Sequence, residues 1–376
     1  MNQFQSIFDK VKEISCYTRF PGTEGSTRSL RYIVSFLEGQ NVDSSMSITK
    51  IPNWILISNP TVKCLSNHKI DFKAIPAMFS YPSPKEGVEG YLKAAGTIKM
   101  LDSFDWEQFA ITSREDELLG YLISTSYGAH MEPLPFSSSQ LPVVIIDSKS
   151  LEALKNVLSL NKNITVHVVN PTTIVGEVAV NSIISHCPLK QPAPMICAHY
   201  DTVYNSVGAH DNASGVAVVM HLITNSDLKE RCRFAFFDGE ESNKAGSTNY
   251  VNEERCNGNL KNVSFVLEID SVGLGEEIVL LCSKSIYKKV RNLADDLAKH
   301  ISPQFKLTIS QQTRISFCDV WPFMQEGIPV IRMLSRDATS SKIIHSDDDT
   351  IDIIKPLTLE AASNIAHELA HILFHN

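Results

Sequence analysis

The sequence predicts an α/β protein with a mixed, mostly parallel sheet sandwiched by helices and a smaller α+β segment inserted near its start. Two observations predict this. From about residue 172 onward, apolar runs of strand length alternate with helical patterns. Between about 52 and 170 that alternation is missing, and Pro-Ser turns such as YPSPKEG and EPLPFSSS separate short β-like runs. The expected organisation is therefore a first part at 1–51, an inserted segment at 52–171 and the main α/β part at 172–376.

The elements follow in order. Residues 3–14 and 26–38 carry amphipathic helical spacing, and Pro21, Gly22 and Gly25 of RFPGTEG mark the loop between them. In the inserted segment, LPVVIID reads as a strand and SLEALKNVLS as a helix. The main part then runs VAVNSIIS, PMICAHYD and a helix at ASGVAVVMHLI; RFAFFDGEE and a helix at GSTNYVNEE; VSFVLEID; EIVLLC and a helix at SIYKKVRNLADDLAKH; and IPVIRML before a C-terminal helix. Near-continuous apolar strands need cover on both faces, which alternating helices supply.

Composition narrows the functional classes. Hydrophobic residues make up 43% and charged residues 20%, ordinary for a globular chain of 376 residues. A net charge of −8 without a basic stripe predicts no nucleic-acid partner and no attraction to anionic membranes. MNQFQSIFDKVKEIS lacks the apolar core of a secretory signal, and no run is long enough to span a bilayer. Eight cysteines without a C-x-x-C pair fit reduced thiols, so a cytoplasmic location is expected.

Metal-capable residues stand just beyond the apolar runs. PMICA leads into His199 and Asp201, GAHDNASG places Asp211 at the mouth of a helix, RFAFFDG ends in Glu240 and Glu241, VSFVLEI ends in Asp270, and His345 follows IPVIRML after a short loop. In parallel sheets, ligands collect at the carboxyl ends of strands. Each signal alone has an ordinary reading as a strand end, helix cap or solvated turn; together they converge on one sheet edge. Mixed imidazole and carboxylate ligation suits two divalent ions, most simply zinc. In this reading Asp211 bridges them, His199 and Asp270 complete one site, and Glu241 and His345 complete the other. Glu240 is the expected general base, Asp201 the carboxylate orienting His199, and Asp349 a corresponding partner for His345.

AHYDT, GAHDNASG, FFDGEES followed by GS, LEID and IHSDDDTID resemble the signatures of the di-zinc exopeptidases that include bacterial leucyl aminopeptidases, metallopeptidase family twenty-eight. R-x-PGTEG resembles the family's opening segment, so the likeness covers about 1–50 and 172–376. It implies a zinc exopeptidase-like fold, the metal and base roles just named, and cleavage of N-terminal residues from small peptides or amino-acid amides by a hydroxide shared between two metals. It implies nothing about oligomeric state. The insertion faintly resembles a reduced protease-associated domain. Where the family has Ser-Asp-His, this chain has Cys318-Asp319-Val320, so Asp319 reads as a cap for the helix through Met324.

Rival readings are a carboxypeptidase or deacylase of related ligand order, a one-zinc glutaminyl cyclase and a non-catalytic scaffold. The segment between Glu241 and His345 already holds strands and helices and leaves no room for the deacylase lid. His367-Glu368-Leu369-Ala370-His371 matches the H-E-x-x-H zincin motif, but no third ligand can follow it, and Ile365, Leu369 and Ile372 explain the segment as a packing helix.

Overall fold

Ala193–His199 (β10) is buried at every residue, because parallel strands flank it on both edges and helices cover its faces. The computed structural model describes residues 3–66, 70–100, 104–125, 140–160, 163–188, 191–224, 226–312, 318–336 and 343–375. The chain divides into two units, Met1–Ile51 with Val178–Asn376, and Pro52–Glu177.

The larger unit is built on an eight-stranded sheet in the order β1-β9-β11-β10-β12-β15-β13-β14. Its strands are Ser44–Leu56 (β1), Thr172–Ser185 (β9), β10, Arg233–Phe237 (β11), Val263–Ile269 (β12), Glu277–Ser283 (β13), Lys306–Gln312 (β14) and Val330–Arg336 (β15). β10 pairs in parallel with β11 and β12, and β12 with β15. Antiparallel pairs, β9 with β11 and β13 with β15, flank this parallel centre, so the sheet is mixed.

The helix Ser214–Ile223 and the C-terminal helix Pro356–His375 share one apolar core with Ile196, Phe234, Phe236 and Leu267. Burying a side chain such as Phe236 contributes about 1.5–3 kcal/mol. Ile365 and Leu369 are buried against this core as the packing-helix reading expects. The helices at Gln3–Ile14 and Glu24–Gly39 lie where the sequence places them, the second capped by Thr23, whose Oγ1 accepts the Ser26 N–H. The expected helix over SIYKKVRNLADDLAKH is two pieces, Lys284–Asn292 and Ala294–Ala298.

The smaller unit has its own seven-stranded sheet, β2-β8-β4-β5-β6-β7-β3, and, among the described residues, the helix Ser148–Leu160. Its strands are Thr61–Cys64 (β2), Ala74–Pro76 (β3), Val88–Met100 (β4), Phe104–Thr112 (β5), Leu118–Thr125 (β6), Val143–Ile146 (β7) and Thr165–Val169 (β8). The antiparallel run β4-β5-β6 is more regular than the sequence suggests. The YLKAAGTIKM portion of β4 carries Gly, Ala and Lys, which strands ordinarily disfavour.

Candidate metal centre

The five expected ligands converge. Parallel β10, β11 and β12 end on the same side, so His199, the Glu240–Glu241 turn and Asp270 emerge together. His199 Nε2 lies 3.2 Å from Asp211 Oδ1 and 3.5 Å from Asp270 Oδ1. His345 Nε2 lies 3.2 Å from Asp211 Oδ2 and 3.1 Å from Glu241 Oε2. The two oxygens of Asp211 therefore face two different imidazoles.

Local chemistry explains how DNASG presents Asp211. Gly208 takes φ of +53°, and a Cβ there would meet the Asp211 carbonyl oxygen at 2.1 Å. The Asp211–Asn212 peptide is cis. The Asn212 side chain donates to Ile269 O at 3.0 Å and accepts the N–H groups of Gly215 and Ser271 at 2.9 and 3.1 Å. One amide thus ties the start of a helix to the end of β12. Ser214 Oγ accepts the Val272 N–H, and a Cβ on Gly215 would meet Ile269 O at 2.2 Å. Small and polar residues fill this motif because two backbone segments nearly touch there.

Asp201 is buried, and its two oxygens accept the backbone N–H groups of Glu240 and Glu241, each at 3.1 Å. Its Oδ1 also lies 3.6 Å from His199 Nδ1, longer than a hydrogen bond. Asp349 differs from its expected place beside His345. Its oxygens accept the N–H groups of His210 at 2.6 Å and Asp211 at 3.0 Å, so it holds the backbone that carries Asp211. Asp319 stands at the N-cap position of Val320–Gln325, but its carboxylate makes no capping bond; its N–H donates to Glu268 Oε1 at 2.8 Å.

Two arginines received no role in the sequence reading. Arg19 is fully buried, and its guanidinium donates to the carbonyls of Tyr200 at 2.6 Å, Val207 at 2.5 Å, Gly208 at 2.9 Å and Ile14 at 3.2 Å, fastening the loop ahead of Asp211. Arg332 of β15 grips Asp270 Oδ2 through Nε, at 3.0 Å, and Nη2. The signal for Arg332 was available: a charge inside the apolar run IPVIRML needs a buried partner.

The electrostatics follow from crowding. Burial raises the Glu240 carboxyl well above its usual range against the pull of His199, and the charges of Glu241, Asp319 and Asp270 add to the rise. Burial likewise raises Glu241 to about 7, although His345 opposes it. Burial works against ionisation of Asp270 as well, yet Arg332 brings that group down to about 2. Burial also disfavours the charge on His199, but Asp201, Asp211 and Asp270 outweigh it and raise the imidazole well above its ordinary value.

Such a donor set fits two cations. His199, Asp211 and Asp270 place ligand atoms within 4.8 Å of one another, as do Asp211, Glu241 and His345, and Glu240 groups with His199 and Glu241. Glu241 Oε1 is buried with no hydrogen-bond partner. Carboxylates buried this closely repel unless cations offset them.

Comparison with known proteins bears on the fold and the family. The solved structure of a peptidase M28 precursor from Shewanella amazonensis SB2B superposes with a TM-score of 0.81 over 98% of this chain and 93% of that one, at 17% identity. A zinc aminopeptidase from Bacillus subtilis superposes with a TM-score of 0.71 over 98% of this chain and 95% of that one, at 18% identity. In sequence, the chain is 23% identical over 284 residues to the Mycobacterium tuberculosis protein named "Probable lipoprotein aminopeptidase LpqL". That alignment takes in 67% of this chain and 54% of the relative, so the chain spans about half that relative's length. The model of peptidase family M28 matches residues 183–370, half of the chain and the stretch that carries His199, Asp211, Glu241, Asp270 and His345, and this protein belongs to that family.

Proposed function

We propose that the chain is a zinc-dependent aminopeptidase that removes N-terminal residues from small peptides or amino-acid amides. The observation that carries this reading is Asp211, whose oxygens each lie 3.2 Å from the Nε2 of a different histidine. A carboxylate shared in this way suits a pair of divalent ions, with His199 and Asp270 completing one set and Glu241 and His345 the other. Bound there, the ions would act as Lewis acids toward a substrate carbonyl and make a water molecule more acidic.

The protein's own residues do the rest. Glu240, whose carboxyl burial has raised, accepts a proton from the attacking water and returns it to the leaving amine. Asp201 fixes the turn carrying Glu240 and Glu241 through their N–H groups. Arg332 holds Asp270 with one oxygen turned toward His199. A cytoplasmic location is part of this reading, and the eight cysteines without a C-x-x-C pair support it. Among the described residues, no helix is long and apolar enough to cross a membrane.

A substrate panel tests the activity: an aminoacyl chromogenic amide, the same compound with its amine blocked, and a peptide whose C-terminal residue is reported. Hydrolysis of the free-amine substrate alone, lost with a chelator and restored by zinc, is expected. Cleavage of the blocked or C-terminal substrate instead would reject the aminopeptidase reading in favour of the deacylase or carboxypeptidase type.

A further inference from the structure

The H-E-x-x-H match in the C-terminal helix is left unused by the proposed activity, since none of its residues reaches the candidate metal centre's donor groups. We propose that His367 and His371 form a second, separate site for one borderline divalent cation of the zinc, nickel or copper class.

Three observations support it. Residues four apart project from the same helical face, and here the two imidazole rings stand 6.4 Å apart with planes only 6° from parallel. His367 Nδ1 lies 3.3 Å from Glu368 Oε1, within hydrogen-bond reach, and Asp227 Oδ2 stands near His371 Nδ1 at 3.7 Å, beyond it. The carboxylate beside His367 Nδ1 favours the tautomer protonated there, which directs Nε2 of that ring to a metal. The pair is accessible, with 33% of the His367 side chain and 47% of the His371 side chain exposed.

The surroundings favour a cation. Glu368 and Asp227 both adjoin the pair, and the negative end of the helix dipole lies within the following turn. Arg231 opposes them, but its Nε lies 2.9 Å from Asp227 Oδ1, the oxygen on the other branch from the one facing His371. His300 Nδ1 lies 3.6 Å from Glu368 Oε1 and adds a third imidazole to the patch. Ile365, Ala366, Leu369 and Ala370 are buried, so the backbone between the two histidines is pinned to the core. Closing on an ion therefore takes only side-chain rotation, which brings each Nε2 to about 2.0–2.1 Å from the metal.

The site is independent of the aminopeptidase reading, and metal counting on the full chain tests it. Protein stripped with a chelator is equilibrated by dialysis against zinc, and bound ions per chain are counted for the wild type, H367Q, H371Q and H367Q/H371Q. Each variant is expected to lose one ion relative to the wild type, with the melting temperature of the metal-free protein and turnover of the chromogenic amide unchanged. If the double variant binds as many ions as the wild type, the proposal is overturned. It is equally overturned if the lost ion takes turnover with it, because that ion then belonged to the catalytic centre. Should the wild type prove inactive while the double variant still loses one ion, this site stands and the aminopeptidase reading falls.

Discussion

Asp201 and Glu240 are joined side chain to backbone, the carboxylate accepting the Glu240 N–H at 3.1 Å on one oxygen and the Glu241 N–H at 3.1 Å on the other. Asparagine at position 201 offers one acceptor and one donor, so one of these N–H groups would face a donor. Asp201→Asn is expected to lower kcat roughly 10- to 100-fold, the range for groups that orient metal ligands. Steady-state kinetics decide it; an unchanged kcat would mean the turn holds itself.

Glu240 is the proposed proton carrier rather than a metal ligand. Glu240→Gln should keep zinc binding and lose about 10²- to 10⁴-fold in kcat. Calorimetric zinc titration beside turnover separates the two effects, and near-normal turnover would remove Glu240 from the chemistry.

Arg19 is a stability prediction. Its fork donates to five backbone carbonyls, those of Ile14, Tyr17, Tyr200, Val207 and Gly208, and lysine cannot reproduce that planar set of donors. Arg19→Lys should cost about 2–5 kcal/mol, since buried carbonyls left unpaired cost about 1–3 kcal/mol each. Denaturant unfolding measures this as a lower midpoint at an unchanged slope.

Zinc uptake should weaken in mild acid. Burial raises Glu241 to about 7, so below that pH the metal-free carboxyl holds a proton that zinc must displace, and above it the carboxylate is ready to bind. The sign is therefore tighter binding as pH rises through 7. Calorimetry in buffers of different ionisation enthalpy should find more protons released per zinc near about pH 6 than near about pH 8. Equal release at both would place Glu241 outside the coordination.

The strand ends were legible in the sequence because a parallel strand covered on both faces leaves an uninterrupted apolar run, and the first polar residues beyond PMICA, RFAFF and VSFVLEI mark where it meets the site. The DNASG segment was legible as a helix mouth, but the reach of Asn212 across to Ile269 was not, because it depends on which strand lies alongside. The same is true of Asp349. Nearness in sequence suggested His345 as its partner, yet it binds the backbone at His210 and Asp211, far back along the chain. Arg19 was visible as the first residue of R-x-PGTEG, but its burial was not, because in a short loop an exposed arginine is the ordinary expectation. In the smaller unit, β4 and β5 hold their places through pairing with each other rather than through strong strand propensity.

His199 and His345 come from opposite ends of the catalytic half of the chain, and both face the single carboxylate of Asp211. Ions seated between them would act as a removable cross-link, stapling distant segments much as a disulfide does in secreted domains. Such a protein gains resistance to unfolding in proportion to the logarithm of free zinc. Metal supply would then govern how long each molecule survives as well as how fast it works.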